Sequence, residues 1–386
     1  MATLQQIFQR SFPDAASRHK LPLHHHKAAS QLSRCRTAAM GGHVQACPEG
    51  HVERVWYNSC RHRACPQCNH IQIERWLERQ RARLLDCAHH HLIFTIPHEL
   101  NPLWLHNRAA MMQRLFHCVR DVLMELLADP KYLGAQPAFL LALHTWGRSL
   151  SLHPHIHCLI ADGGLDGDHW RKSRGSCFLP ARVVMAKFRG KLLAFLRQDI
   201  ERGALDPPGE TNAPRMLALL NKLGRKKWNV HIRERYDHGE GVVRYLARYV
   251  RGGPLSNSQI VSAGHERVTY RYSPHDATGP CHMTLAPAAF LHRYLQHVPE
   301  PGRHVLRAYG LYAHTKSREL DTARGLFHQP PVAPPDPIEW QAYCQRRAPA
   351  AHLHACRICG ARLVRTRTLP PSPGPPFRHD SFPLRA

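Results

Sequence analysis

Two short segments carry residues whose types and spacing suit chemistry on a phosphodiester. In Leu152-His153-Pro154-His155-Ile156-His157-Cys158-Leu159-Ile160, a β-strand would put His155 and His157 on one face, because side chains alternate with period two. Two adjacent imidazoles can grip one divalent metal, and burying them without a partner would be costly. Downstream, Tyr245-Leu246-Ala247-Arg248-Tyr249 would place two phenols one helical turn apart on the same side. A phenol with a pKa of about 10 is a weak nucleophile. A metal that polarises a phosphate and nearby cations that favour phenolate would activate it. Arg244, Arg248 and Arg251 supply such charge and are candidate DNA contacts. The pair of segments implies breaking and rejoining of DNA through tyrosine. The bland alternative makes both phenols core packing beside the apolar stripe Val242, Leu246 and Val250.

A firm divalent site needs a third ligand. His144, on the preceding strand, would face His155 across an antiparallel pair; His153 is the rival, at the strand edge before Pro154. With 32 histidines in the chain, His24-His25-His26 and His89-His90-His91 read as compositional clusters.

Cysteines mark a second metal centre. Cys65-Pro66-Gln67-Cys68 is a tight chelating pair, and Cys47 and Cys60 complete a candidate zinc quartet, with His51 competing for one place and His43 a further option. Cys356-Arg357-Ile358-Cys359, near His352 and His354, reads as a weaker, unpaired knuckle. The start, MATLQQIFQRSFPDAASRHK, has no apolar signal core, and no run approaches the roughly 20 apolar residues of a membrane span. The expectation is a cytoplasmic chain whose 13 cysteines stay reduced.

The elements that must position these groups alternate. Strands are predicted at 90–96, 138–146, 154–160 (closed by a turn at Asp162-Gly163-Gly164), 228–233, 267–272 and 282–285. Helices are predicted at 71–85, 103–128, 181–200, 242–251 and 287–297. This is an α+β pattern around a mainly antiparallel sheet flanked by helices. Three segments follow: a zinc-binding domain with a basic helix at 1–86, the catalytic domain at 87–318, and a Pro-rich tail at 319–386 expected to lack order. A net charge of +25 over 386 residues makes nucleic acid the expected partner, with binding that weakens as salt rises.

Four segments, in order, resemble one family. They are GGHVQACPEGHVERVWYNSCRHRACPQCN, HHLIFTIPHEL, HTWGRSLSLHPHIHCLIADGGL and GVVRYLARYVRGG. They are similar to the HUH-type rolling-circle transposases of bacterial insertion sequences, in the branch with two tyrosines. The resemblance covers roughly residues 30–315. It implies an HUH endonuclease-like fold behind a small zinc-binding domain, His155 and His157 as metal ligands, and Tyr245 and Tyr249 as nucleophiles. It further implies magnesium or manganese as the catalytic ion, structural zinc, 5′-phosphotyrosine intermediates and single-stranded DNA at the element ends as substrate. Nucleoid association and host replication proteins as partners fit the same picture. Many relatives have Cys-x2-Cys where this chain reads Cys47-Pro48-Glu49-Gly50-His51, which leaves the fourth zinc ligand open. Two rival readings are a relaxase or replication initiator with the same chemistry, and a zinc-containing regulator that binds DNA without cutting it.

Overall fold

The computed structural model describes residues 2–18, 20–173, 178–241, 243, 244, 247, 253–273, 279–347 and 354–372. Its centre is an antiparallel sheet built on two long strands, β4 (Gln136–Trp146) and β5 (Leu152–Asp166). β3 (His89–Thr95) pairs with the other side of β5, β7 (Asn229–Tyr236) with β3, and β11 (Leu306–Gly310) with β4; the short β6 (His169–Arg171) also meets β5. The α+β architecture with a large antiparallel sheet is therefore as the sequence implies. β5 continues through Asp162-Gly163-Gly164 rather than turning there, because Gly164 pairs with both Pro137 and Arg171.

The two faces of this sheet differ in chemistry. Phe94 meets Phe188 edge-on, and Phe188 lies on α6 (Ala181–Glu201), which packs on α5 (Arg108–Ala128). By alternation, Leu92, Ile156, Cys158 and Leu141 share that helix-covered face. The opposite face carries His91, His144, His155 and His157. The helix predicted over 103–128 is broken at Asn107, whose side-chain amide instead bonds the carbonyl of Asp206.

A second core joins distant parts of the chain. Leu4, Ile7 and Phe8 of α1 (Leu4–Arg18) and Ala28, Ala29 and Leu32 of α2 (Leu23–Arg34) pack with Ile260, Tyr270, Phe290 and Tyr294. The i, i+3, i+4 spacing of the α1 residues gives one apolar stripe, which the helix needs because its N-terminus has no other core. The N-terminal segment thus shares its interior with residues 255–298.

Parts of the segment expected to lack order form regular structure, while residues 329–339 have none. Residues 317–326 and 340–347 are helical, and Val364–Leu369 adds a strand beside Gly42–Ala46, itself hairpinned to Glu53–Tyr57. The Pro-rich stretch hid a strand whose partner lies more than 300 positions away in sequence. Among the described residues no helix is long and apolar enough to cross a membrane.

His25, on α2, is 4% exposed, and neither ring nitrogen has a hydrogen-bond partner among the described residues. Burial, then His24 and Arg108, pushes it down to about 3. Between that value and the ordinary 6.5, the unfolded chain binds a proton that the folded chain refuses. Stability is therefore full above pH 6.5 and falls as pH drops through this window. His25→Leu is expected to be the more stable protein, by about 2 kcal/mol at pH 5. Denaturant melts of both proteins from pH 8 to pH 4 check this; parallel curves would sink it.

Candidate metal centre and its setting

Two neighbouring strands assemble the histidine cluster. His144 on β4 lies opposite His155 on β5 in register, and His157 lies two residues on, opposite Ala142. One ligand nitrogen from each of the three lies within 4.8 Å of the others. The Nε2 atoms of His155 and His157 are 3.0 Å apart, and the His144 and His157 ring centroids 4.1 Å. Neighbouring nitrogens bound to one cation at about 2.0–2.2 Å would stand roughly 3.0–3.4 Å from each other. His153, the rival third ligand, is exposed and stays outside the group; it contributes its carbonyl, which accepts from His155 Nδ1 at 2.6 Å.

Protonation follows from these contacts. With its proton on Nδ1, neutral His155 presents a lone pair at Nε2. That lone pair faces the Nε2 of His157, so a proton or a cation must mediate between them. Burial pushes His155 down to about 4, and burial followed by the neighbouring imidazoles holds His144 and His157 well below the usual histidine range. All three are neutral near pH 7, the form that binds metal. The donor set therefore fits a divalent ion.

Sequence reasoning passed over His91. Its Nε2 lies 2.8 Å from His157 Nδ1, and the rings stack at 5.0 Å. This bond fixes which His157 nitrogen points to the cluster, the usual task of a group behind a metal ligand. The run His89-His90-His91 is not a compositional accident. His89 Nε2 bonds Tyr312 Oη at 2.8 Å, His90 stacks on Phe178, and His91 supports His157. The available signal was alternation: His89 and His91 sit on the same strand face as the metal-facing pair.

Tyr245 and Tyr249, with Arg248 and Arg251, lie outside the described residues. The residues around them fix where that segment starts and stops. A helix begins at Glu240 and buries Val243 and Ala247 in the main core; the expected stripe of Val242, Leu246 and Val250 lies outside the described residues. Gly239 packs on His89, where an added Cβ would meet Nδ1 at 2.9 Å. Gly253 packs on Ala64 and Tyr294, where a Cβ would meet the Ala64 carbonyl oxygen at 2.6 Å. Both approaches are too close for any side chain. Arg244 is exposed and bonds Glu240 at 3.0 Å, and Glu240 also meets Arg81 at 2.8 Å.

Beside the cluster, Trp146 stacks on His144 with ring planes 11° apart. Trp146 also lines a cleft with Trp104, Arg63, Arg108 and Arg303. Guanidinium groups that share a cleft with an indole suit a phosphate and a stacked base.

The cysteines fall into two groups rather than the expected quartet. Cys60, Cys65 and Cys68 are joined by Cys35, the residue that caps α2. The Sγ atoms of Cys60 and Cys68, and of Cys65 and Cys35, are 3.6 Å apart. Ligands on a tetrahedral zinc with Zn–S of about 2.3 Å would be about 3.7 Å apart. Hydrogen bonding from Cys35 and the other thiols holds Cys68 far down as a thiolate, while the same network pushes Cys65 far up. Hydrogen bonding within the cluster lowers Cys35 as well, so the four sulfurs favour negative charge and suit a cation. Cys47 is not part of it. The hairpin of residues 42–57 carries Cys47 away, to a place beside His51, Cys356 and Cys359. His43 lies on the hairpin and joins neither group.

Comparison with known proteins agrees with this geometry. Residues 138–319 match a family model described as “Putative transposase”, and residues 7–96 match “Transposase zinc-binding domain”. The chain is 33% identical over 326 residues to “Putative transposase y4qJ” of Sinorhizobium fredii (strain NBRC 101917 / NGR234), covering 82% of this chain and 81% of that protein. It is 28% identical over 355 residues to the “Transposase for insertion sequence element IS801” of Pseudomonas savastanoi pv. phaseolicola, covering 89% and 83% respectively. No solved structure matches the chain. With a paired-histidine sheet, a four-cysteine centre and relatives aligned over most of its length, the chain belongs to the two-tyrosine transposases of insertion sequences that carry an N-terminal zinc-binding domain.

Proposed function

We propose that this transposase cuts and rejoins single strands of DNA at the ends of an insertion sequence, with Tyr245 and Tyr249 as nucleophiles. The observation that carries the reading is the convergence of three neutral imidazoles on the sheet face against which Gly239 docks, at the entry to the tyrosine segment. His144, His155 and His157 would hold a divalent cation, which when bound polarises the scissile phosphate. The phenolic oxygen of one tyrosine attacks phosphorus in line. The bond from phosphorus to O3′ breaks, the phenol's proton goes to the departing oxygen, and a 5′-phosphotyrosine and a free 3′-hydroxyl result. No ATP is consumed, because the ester is conserved in the covalent link. The second tyrosine takes a second strand, so one chain can perform successive cleavage and joining. The arginines and tryptophans of the cleft would hold the strand, and the zinc-binding domain would read the element end.

Three histidines without a carboxylate favour manganese over magnesium, which prefers oxygen ligands. The test is to incubate the protein with end-labelled single strands of an element end, add manganese or magnesium, and denature. A label that stays with the protein, at lower manganese than magnesium concentrations, is the expected result. Binding without any adduct under either ion would make the protein a non-catalytic regulator.

A further inference from the structure

We infer that the chain binds a second structural zinc ion, on Cys47, His51, Cys356 and Cys359, and that this ion clasps the C-terminal segment onto the N-terminal domain. The matched zinc-binding domain ends at residue 96 and so contains only half of this site. Cys47 Sγ lies 3.5 Å from Cys359 Sγ, 312 positions away in sequence, and 3.8 Å from His51 Nδ1. All four ligand atoms fall within 4.8 Å of one another.

The two halves are built alike. The amide of Cys47 donates to the carbonyl of Val52 at 2.8 Å, and the amide of Cys356 donates to the carbonyl of Ala361 at 2.8 Å. Each first cysteine thus bonds the fifth residue after it, closing a loop that turns the second ligand back toward the first. Gly50 N–H returns to the Cys47 carbonyl at 2.9 Å, and Gly360 N–H to the Cys356 carbonyl at 3.0 Å. The Ile358 amide points at Cys356 Sγ at 3.4 Å, as amides do toward a metal-bound thiolate. Behind the knuckles, Ala46 pairs with Val364 and Gly42 with Leu369, so the strand leading into one and the strand leaving the other form a single sheet.

The apolar content argues that a metal is required. The buried cluster here consists of Cys47, Cys356 and Leu363, with Val52 and Ala361 against it, and two of its three members are themselves ligands. The strand Val364–Leu369 is exposed at every position from 364 to 368. So small a core cannot offset the ordering of two loops and an edge strand, and small domains in that position rely on metal. Three thiolates and an imidazole are a zinc donor set. Closure leaves Arg365 and Arg367 on the edge strand of the sheet among the described residues.

The full chain, purified without chelator, should carry two zinc ions per polypeptide by elemental analysis, and Cys356→Ser/Cys359→Ser should carry one. Cys359→His, which keeps four ligands, should restore two. Trypsin should cut within residues 340–372 in the serine variant while sparing them in the wild type and in Cys359→His. One zinc in the wild type, or two retained by the serine variant, would overturn the inference. Should the serine variant fail to fold, the wild type decides through the release of zinc by a thiol reagent, which the histidine site does not answer. A thiol reagent should release zinc in two kinetic steps, with Cys359 modified in the first, and a single step would overturn the inference.

Discussion

Removing both phenolic oxygens, in Tyr245→Phe/Tyr249→Phe, is expected to abolish the protein–DNA adduct, with a loss of at least ~10⁴-fold, the scale seen when a covalent nucleophile is deleted. Each single variant should also abolish transposition, since cleavage and joining of two strands needs both nucleophiles. A single variant should still form an adduct through its remaining tyrosine on a substrate with one cleavable end. Affinity for a single strand should be unchanged, because it resides in charge and stacking rather than in a hydroxyl. Adduct yield, filter binding and a mating-out transposition assay on all three variants separate these effects. Transposition at wild-type frequency in either single variant would falsify the paired-nucleophile reading.

The adduct assay, read beside a thermal melt, also separates loss of a hydroxyl from loss of packing. Val243 and Ala247, which flank Tyr245 in sequence, are fully buried. A phenylalanine at 245 or 249 preserves ring volume and therefore packing. Loss of the adduct with unchanged melting temperature assigns the defect to chemistry. Loss of both assigns it to structure.

What could be read from the sequence was whatever depends on near neighbours. The pair His155 and His157 follows from strand alternation, and His144 follows from the one antiparallel pairing that a short connection imposes. Cys65 and Cys68 follow from chelate spacing within one turn. The errors in the zinc ligands are long-range. Cys35 stands alone in sequence, with no second cysteine beside it, and only the packing of α2 brings its sulfur to Cys65. Cys47 seemed a natural fourth ligand because it is the next cysteine before Cys60, yet the intervening hairpin separates them. The knuckle at Cys356 and Cys359 has its partner at the other end of the chain, and proline-rich flanks concealed the strand that leads there. His91 was hidden by its own run of histidines: composition suggested chance, whereas each ring on the strand has a distinct partner.

His157 is the ligand whose loss should be most severe, because it links the cluster to its support. His157→Ala removes one of three nitrogens and leaves His155 facing a void, so metal-dependent adduct formation should fall by ~10³-fold or more and should not recover at high manganese. His91→Ala acts differently. It leaves every nitrogen of the metal group in place and removes the 2.8 Å bond and the ring stacking that orient His157. Groups of this kind typically cost ~10–100-fold in metal affinity or activity. The half-saturating manganese concentration should therefore rise in His91→Ala while the rate at saturation approaches that of the wild type. His91→Gln, which can still bond His157 Nδ1, should restore much of the affinity. A merely structural role would lower melting temperature and saturating rate together, and manganese would rescue neither. Manganese titrations of adduct formation on the three variants, with thermal melts alongside, distinguish the outcomes. An unchanged manganese requirement in His91→Ala would remove that residue from the site.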